Sequence, residues 1–235
     1  MLITTKELIY MTRTKLSDRS LPDYTKGEEI FNMVSHIVGG AVGILSLVAC
    51  ILMAAKGGNT LGIILGILFG FSMIALYTVS SIYHGLCTDK SKKVFQVLDH
   101  CTIYFLIAGT YTPIMLCKLA EKYPVNGWAT FGAVWGLAAL AIVLTAIDLN
   151  KYKNFSMACY VGIGWAVIFS MGKVYEVLTP GGFWLLLGGG IAYTIGALIY
   201  GIGKKTKLRY VHSVFHIFTV IGSALQALCI IFYVM

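Results

Sequence analysis

Charged residues are scarce in this chain. They account for 12% of its 235 residues, about half of the roughly 25% found in an ordinary globular domain. Hydrophobic residues make up 58%, and several uncharged runs reach the length of about 20 residues that a helix needs to cross a bilayer. The scarcity of charge excludes an ordinary soluble domain and predicts a multi-pass membrane protein.

Two further features are missing. The first 35 residues carry charges and contain no apolar core, so we expect no cleavable signal peptide. The six cysteines include no CxxC pair, and we interpret all of them as small apolar residues of the helices.

Seven apolar runs predict an all-α membrane protein, a bundle of seven transmembrane helices. Residues 1–27 are expected to form a polar cytoplasmic N-terminal tail, and residues 28–235 one transmembrane domain. The predicted spans are Ile37–Ala55, Thr60–His84, Cys101–Cys117, Asn126–Ile147, Phe155–Met171, Gly182–Ile202 and Val211–Tyr233.

Lysine and arginine predict the orientation, because cytoplasmic connections carry an excess of them. Fourteen of the 18 lie in the N-terminal tail and in the second, fourth and sixth connections. We therefore expect a cytoplasmic N-terminus, an outside C-terminus and a location in the plasma membrane. This bias and contact with anionic inner-leaflet lipid explain the net charge of +8, so it does not indicate binding to nucleic acid. The sequence implies no protein partner.

All five histidines lie near the predicted cytoplasmic face, and one acidic residue, Asp99, adjoins them. They are His36, His84, His100, His212 and His216. Polar residues near spans are costly and usually face a functional site. Contact with lipid headgroups, the alternative, suits one or two histidines rather than a set on one side.

The spacing of these residues indicates metal chemistry. His212 and His216 are four residues apart, so both rings share one face of a helix and can chelate one ion. Ser80 lies one turn before His84, and Asp99 opens the third span. Three histidines with one water are a standard catalytic zinc set, and Asp99 could hold and deprotonate that water. Such a pair of histidines is a weak signal when it stands alone.

Rival ligands are present. Cys87 and Cys101 lie close enough in sequence to reach the same site. A haem would need two histidines on facing helices, which this arrangement suits less well than it suits zinc.

Four segments resemble the signature segments of the hemolysin III family, in the same order: "EIFNMVSH" (29–36), "SSIYH" (80–84), "LDHCTIYFLIAGTYTP" (98–113) and "HSVFH" (212–216). The pattern extends to the progestin and adipoQ receptor superfamily, which includes the adiponectin receptors. The resemblance implies a seven-helix bundle with zinc near the cytoplasmic side, held by His84, His212 and His216. It also implies that Asp99 holds the water and that Ser80 is the motif serine. The receptors' large N-terminal domain is missing, which argues against a hormone-receptor role.

The start of the first helix has its own signal. Thr25 and Glu28 fit a capping box, and Glu29, Asn32 and His36 then form one stripe. We expect this stripe, together with His100, to shield the site rather than to bind the metal.

Glycines at helical spacing predict close helix packing. One ridge lies on the second span (Gly62, Gly66 and Gly70), and another on the fourth (Gly132 and Gly136).

Three functions fit these observations. The favoured one is a zinc-dependent hydrolase of an amide or ester bond in a membrane lipid, with ceramidase-like activity as the precedent that the resemblance adds. The second is a lipid sensor or regulator in which zinc is structural. The third, a membrane-lytic pore, ranks last because the spans lack the polar stripes of a water-filled channel.

Overall fold

A computed structural model of the chain describes residues 13–206 and 208–235, except for the side chains of Asn154 and Lys204. In this part the chain is helical and contains no strand. The prediction of an all-α membrane protein is confirmed.

Seven helices of at least 16 residues follow one another through the described ranges. They are α1 (Lys26–Lys56), α2 (Thr60–Gly85), α3 (Asp89–Ile114), α4 (Pro124–Ile147), α5 (Leu149–Gly164), α6 (Met171–Lys205) and α7 (Val211–Tyr233). A π-helical turn, Met115–Leu119, extends α3 just after Pro113. A short 3-10 segment, Ala166–Ser170, joins α5 to α6.

Six helical runs in the described residues are long and apolar enough to cross a membrane. The chain is therefore a multi-pass integral membrane protein. The fifth run, Phe155–Gly203, has 49 residues and contains both the fifth and the sixth predicted spans. A straight helix of that length would measure about 74 Å, more than twice the hydrocarbon thickness of roughly 30 Å. Its backbone breaks at Thr179 (φ 59°, ψ 168°), just before Pro180.

The start of α1 and two later connections lie at one end of the bundle, which we call the histidine end. The backbone N–H of Thr14 donates to Oδ2 of Asp148, between α4 and α5, at 2.7 Å. Arg209, between α6 and α7, donates to the carbonyl of Asp23 at 2.9 Å. These two contacts place both connections beside the segment that leads into α1.

The middle of the long fifth run lies at the opposite end. Lys173 donates to Oδ1 of Asn126 at 2.6 Å, and Glu176 pairs with Lys122. Asn126 and Lys122 lie at the connection between α3 and α4. Because α3 starts at the histidine end and runs the length of the bundle, this connection lies at the opposite end. The run therefore leaves the histidine end, reaches the opposite end near Thr179 and returns.

The glycine ridge of α2 allows close contact with α1, as predicted. A Cβ atom at Gly66 would lie 2.8 Å from Cβ of Cys50, and one at Gly70 would lie 2.6 Å from Cβ of Leu47. The matching prediction for α4 is wrong, because no described atom lies within 4 Å of such a Cβ at Gly132 or Gly136.

The predicted capping box at the start of α1 is confirmed. The Thr25 hydroxyl accepts the backbone N–H of Glu28 at 3.2 Å, and the Thr25 N–H donates to Oε2 of Glu28 at 2.8 Å. This cap satisfies helix-end donors that would otherwise lack partners. It also fixes where α1 begins, and hence which of its residues face α2 and α7.

Candidate metal centre

Three of the predicted residues meet at the histidine end. His84 lies in the last turn of α2, and His212 and His216 lie in the first turns of α7. One ring nitrogen from each lies within 4.8 Å of the other two. Nε2 of His212 and Nε2 of His216 are 3.0 Å apart. The helical spacing of four residues brings His212 and His216 together, and His84 joins them because α2 ends where α7 begins.

The outer ring nitrogens of two of these histidines have acceptors of their own. Nδ1 of His84 donates to Oε2 of Glu29 at 2.6 Å, and Nδ1 of His216 donates to the carbonyl of Asn32 at 3.3 Å. Carboxylate and carbonyl oxygens only accept, so we assign the ring protons to Nδ1. Each Nε2 atom then carries the lone pair that can bind a metal ion, while Nδ1 donates to its own acceptor, as in most histidine metal sites.

These three side chains fit a divalent metal ion such as zinc. Nε2 of His84 is buried and has no hydrogen-bond partner, which is costly for a polar atom unless something binds it. With Zn–N bonds of about 2.0–2.1 Å, tetrahedral geometry places two nitrogens about 3.3 Å apart. The 3.0 Å separation of the His212 and His216 nitrogens is close to that value.

Helix α1 holds the start of α7 in place. Tyr210, just before α7, has a left-handed backbone (φ 60°), which costs a non-glycine residue roughly 1–2 kcal/mol. Its N–H donates to Oε1 of Glu28 at 2.7 Å. One turn further on, the hydroxyl of Ser213 donates to Oδ1 of Asn32 at 2.6 Å. These bonds stabilise the strained turn and fix the direction in which His212 and His216 project.

The predicted catalytic residues lie on the wall of a cavity of about 470 Å³ that also reaches His212 and His216. Asp99 is 7% exposed, and it is not part of the three-histidine ligand group. Ser80 is fully buried, and its hydroxyl has no hydrogen-bond partner. Both can therefore meet a molecule in the cavity without ligating the metal themselves.

The far part of this cavity is apolar. Its lining there includes Leu106, Ile114, Met115, Phe183 and Leu187. The cavity thus joins a polar end, with the histidines and Asp99, to an apolar interior, which is the distribution that an amphipathic lipid needs.

The other two histidines differ in their positions. The ring of His36 stacks on that of His216, with centroids 3.6 Å apart and planes at 11°, and neither of its ring nitrogens has a partner. His100 turns away, and its Nδ1 donates to the carbonyl of Gln96 at 2.8 Å. Both line the cavity, but only His36 contacts a member of the ligand group.

The rival thiol ligands are not part of the ligand group of the described residues. Cys87 is exposed in the connection between α2 and α3. The thiol of Cys101 lies 3.8 Å from the carbonyl of Ile142 on α4.

Two residues beside the site, Tyr24 and Lys92, belong to no motif or spacing that would identify them from the sequence. Tyr24 stacks on His212, with ring centroids 5.1 Å apart and planes at 7°. Burial, helped by nearby Tyr200, raises the pKa of the Tyr24 hydroxyl above its usual value of 10.0, so the phenol stays protonated at neutral pH. Lys92 forms a 2.9 Å ion pair with Oε1 of Glu29, so that carboxylate links Lys92 to His84.

Comparison with known proteins supports the resemblance seen in the sequence. The profile of the family described as "Haemolysin-III related" matches residues 24–227. The protein "Hemolysin-3" of Bacillus cereus is 37% identical over 208 residues, which are 88% of this chain and 92% of that protein. "Hemolysin-3 homolog" of Bacillus subtilis (strain 168) is 36% identical over 210 residues, 89% of this chain and 96% of that protein. The human "Monocyte to macrophage differentiation factor" is 25% identical over 167 residues, 68% of this chain and 66% of that protein. The chain belongs to the haemolysin-III-related family.

Proposed function

We propose that this member of the haemolysin-III-related family is a zinc-dependent integral membrane hydrolase. Its substrate would be an amide or ester of a membrane lipid, as for a ceramidase, and its role would be in membrane lipid homeostasis. One observation carries the proposal: His212 and His216, which can share a metal with His84, lie on the same cavity as Asp99, Ser80 and an apolar interior. A polar reaction centre and a lipid-sized apolar space are thereby joined.

Zinc held by His84, His212 and His216 would polarise the substrate carbonyl and lower the pKa of a nearby water. Asp99 takes the proton of the attacking water and then gives it to the leaving amine or alcohol. Ser80 offers its unpartnered hydroxyl to the carbonyl oxygen. Glu29 keeps the His84 ring in the tautomer that presents Nε2 to the metal.

The contacts at both bundle ends support seven membrane crossings. Asp148 and Arg209 lie at the histidine end, whereas Lys173 and Glu176 lie at the opposite end. In this arrangement the run Phe155–Gly203 would cross twice, which adds one crossing to the six runs. With the lysine and arginine bias, this favours a cytoplasmic N-terminus, an outside C-terminus and a metal centre near the cytoplasmic face. Anionic inner-leaflet lipid would contact the basic connections there.

Replacing Asp99 tests the reaction. Asp99→Asn keeps the size of the side chain but cannot accept the water's proton. We expect purified wild-type protein to carry about one zinc per chain and to hydrolyse a fluorescent N-acylsphingosine in mixed micelles. Asp99→Asn should keep its zinc while hydrolysis falls by about 10²–10⁴-fold.

Two controls make the result specific. Glu121→Gln changes an exposed carboxylate between α3 and α4, at the opposite end of the bundle, and should leave both zinc and hydrolysis unchanged. His212→Ala should lose the metal, whereas His100→Ala, outside the ligand group, should keep it. Loss of zinc in Asp99→Asn to the same extent as in His212→Ala would make Asp99 a ligand and remove the hydrolase proposal.

A structural zinc in a lipid sensor or regulator is the second candidate. The observation that favours it is Tyr24, whose ring covers one side of His212. Against it, structural zinc normally has four protein ligands, and the described ligand group has three. Full zinc occupancy with no hydrolysis of any acylated membrane lipid would favour this candidate.

A lytic protein is the third candidate, suggested by the names of the Bacillus relatives. The apolar part of the cavity, around Ile114 and Met115, is unlike the charged or polar lining of a water-filled pore. Release of haemoglobin from erythrocytes by purified protein, at a level that Asp99→Asn leaves unchanged, would favour this candidate over hydrolysis.

A further inference from the structure

Residues 14–24, which we call the strap, lie across the histidine end instead of extending away from it. The Thr14 N–H donates to Oδ2 of Asp148 at 2.7 Å. The ammonium group of Lys93 on α3 donates to the carbonyl of Ser17 at 3.1 Å. The first half of the strap is thus attached to α3 and to the connection between α4 and α5.

The second half of the strap is attached to the connection before α7. Arg209 donates to the carbonyl of Asp23 at 2.9 Å and to Oε2 of Glu28 at 3.4 Å. Between the two attachments, the Arg19 side chain is only 3% exposed. Arginine is rarely so buried, and burial at this position means that the middle of the strap packs against the protein.

The strap also forms part of the cavity wall. Ser20, Leu21 and Pro22 line the cavity on which Asp99, His212 and His216 lie. Tyr24 lies flat on the His212 ring, with planes at 7°. It is also 6.0 Å, centroid to centroid, from His84 on the other helix of the ligand group.

We propose that Tyr24 is a positioning residue for the metal centre, and that the strap holds it there as a cover that controls exchange of the metal with the cytoplasm. The stacked phenol ring limits rotation of the His212 imidazole about its side-chain bonds, so Nε2 stays directed at the other two ligands. Loss of the ring would free His212 and let water reach the ligands from the strap side. The proposal rests on the metal site of the proposed function, but it does not depend on hydrolysis.

Rates of metal release test this proposal directly. Zinc-loaded full-length protein in detergent micelles is mixed with an excess of a chromophoric chelator, and the rate of zinc transfer is recorded. Removal of groups that hold a metal ligand typically costs 10–100-fold in affinity. We expect Tyr24→Ala to release zinc at least tenfold faster than wild type, and Tyr24→Phe, which keeps the stacked ring, to release it within about twofold of wild type. Tyr175→Ala, a 44% exposed tyrosine on α6, is the matched control and should not change the rate.

A second variant opens the strap without changing Tyr24 or a ligand. Thr14→Pro removes the N–H that Asp148 accepts, and Lys93→Met removes the donor to the Ser17 carbonyl. The double variant should also release zinc faster, and it keeps the test valid if Tyr24→Ala does not fold.

A spectroscopic measurement separates positioning from a general loss of stability. In cobalt-substituted protein, the visible d–d bands report ligand geometry. They should change in Tyr24→Ala and return to the wild-type form in Tyr24→Phe.

The outcomes are distinct. If Tyr24→Ala and the double variant both release zinc at the wild-type rate, the proposal that the strap covers the site is wrong. It is also wrong if Tyr24→Phe and Tyr24→Ala release zinc at equal rates and the cobalt spectra do not change. If wild-type protein binds no zinc at all, the metal site itself is wrong. If zinc release responds as expected while no lipid is hydrolysed, the cover stands and the hydrolase proposal fails.

Discussion

Nδ1 of His84 lies 2.6 Å from Oε2 of Glu29, and the other oxygen of the same carboxylate lies 2.9 Å from the ammonium group of Lys92. Glu29 therefore links the Lys92 ammonium group to His84, one of the three candidate ligands. The carboxylate fixes the tautomer and orientation of the imidazole, and it raises the basicity of Nε2. This places Glu29 in contact with a ligand, a closer role than the shielding expected from its position on the stripe of α1.

Glu29→Gln should therefore weaken zinc binding without abolishing it. A neutral amide can still meet the His84 ring, but it neither enforces the tautomer nor raises the basicity of the ring. We expect zinc affinity to fall by about 10–100-fold, measured by competition with a chelator of known affinity, whereas His84→Ala should lose the metal.

Glu176→Gln is the matched control for this change. Glu176 is also paired with a lysine, Lys122, but at the opposite end of the bundle, so its loss should leave zinc affinity at the wild-type value. An unchanged affinity in Glu29→Gln would mean that the stripe only shields the site.

Local sequence signals were sufficient to predict several parts of the site. The capping box of Thr25 and Glu28 depends on residues three apart, and the shared face of His212 and His216 on residues four apart. Both follow from helix geometry alone. The glycine ridge that allows α1 and α2 to touch also follows from spacing, since Gly66 and Gly70 are one turn apart.

Features that depend on the rotation of one helix against another could not be predicted. The stripe residues Glu29 and His36 meet two different histidines, His84 and His216. The rotation of α1 relative to α2 and α7 decides which stripe residue contacts which ligand. The spacing of residues within α1 does not encode this rotation.

The sequence does not reveal the strap, for a different reason. Its residues have no hydrophobic period, and two of its contacts use the backbone carbonyls of Ser17 and Asp23. Backbone acceptors are the same at every position, so the sequence does not mark them. The backbone break at Thr179 is also not marked by the sequence. Pro180 follows it, but the positive φ of Thr179 depends on the surrounding packing.

The orientation of the chain can be tested with reporter fusions. Because 14 of the 18 lysine and arginine residues lie on one predicted side, fusions at Lys92 and Lys205 should report a cytoplasmic location. Fusions at Lys122 and after Met235 should report the outside. A phosphatase reporter, active outside, and a fluorescent protein, active in the cytoplasm, give complementary signals at each position.

The C-terminal fusion carries the most information in that set. A cytoplasmic C-terminus would mean an even number of crossings, so the run Phe155–Gly203 would then not return to the histidine end. It would contradict the contact of Arg209 with the carbonyl of Asp23 at the histidine end.

Asp148 gives the last prediction, which concerns stability and pH. Its side chain caps α5 by accepting the N–H groups of Asn150 and Lys151 at 3.0 and 3.1 Å, and it also accepts the N–H of Thr14. Burial alone would raise the pKa of this carboxyl, but the hydrogen bonds outweigh burial and lower the pKa below its usual 3.8. Asp148→Ala should therefore lower the free energy of unfolding by about 1 kcal/mol or more, as for other lost helix caps.

Asp148→Asn separates the charge from the cap, since asparagine caps a helix as well as aspartate but does not titrate. A carboxyl whose pKa is lower in the folded state stabilises the fold fully above its unfolded pKa, and this stabilisation is lost as the pH falls through the folded value. Thermal unfolding in detergent should thus show wild type more stable than Asp148→Asn by a constant amount from pH 7 to about pH 5. Below about pH 4 the difference should shrink towards zero. A difference that stays constant down to pH 3, or grows there, would show that the Asp148 charge does not carry the bonds to Thr14 and to the start of α5.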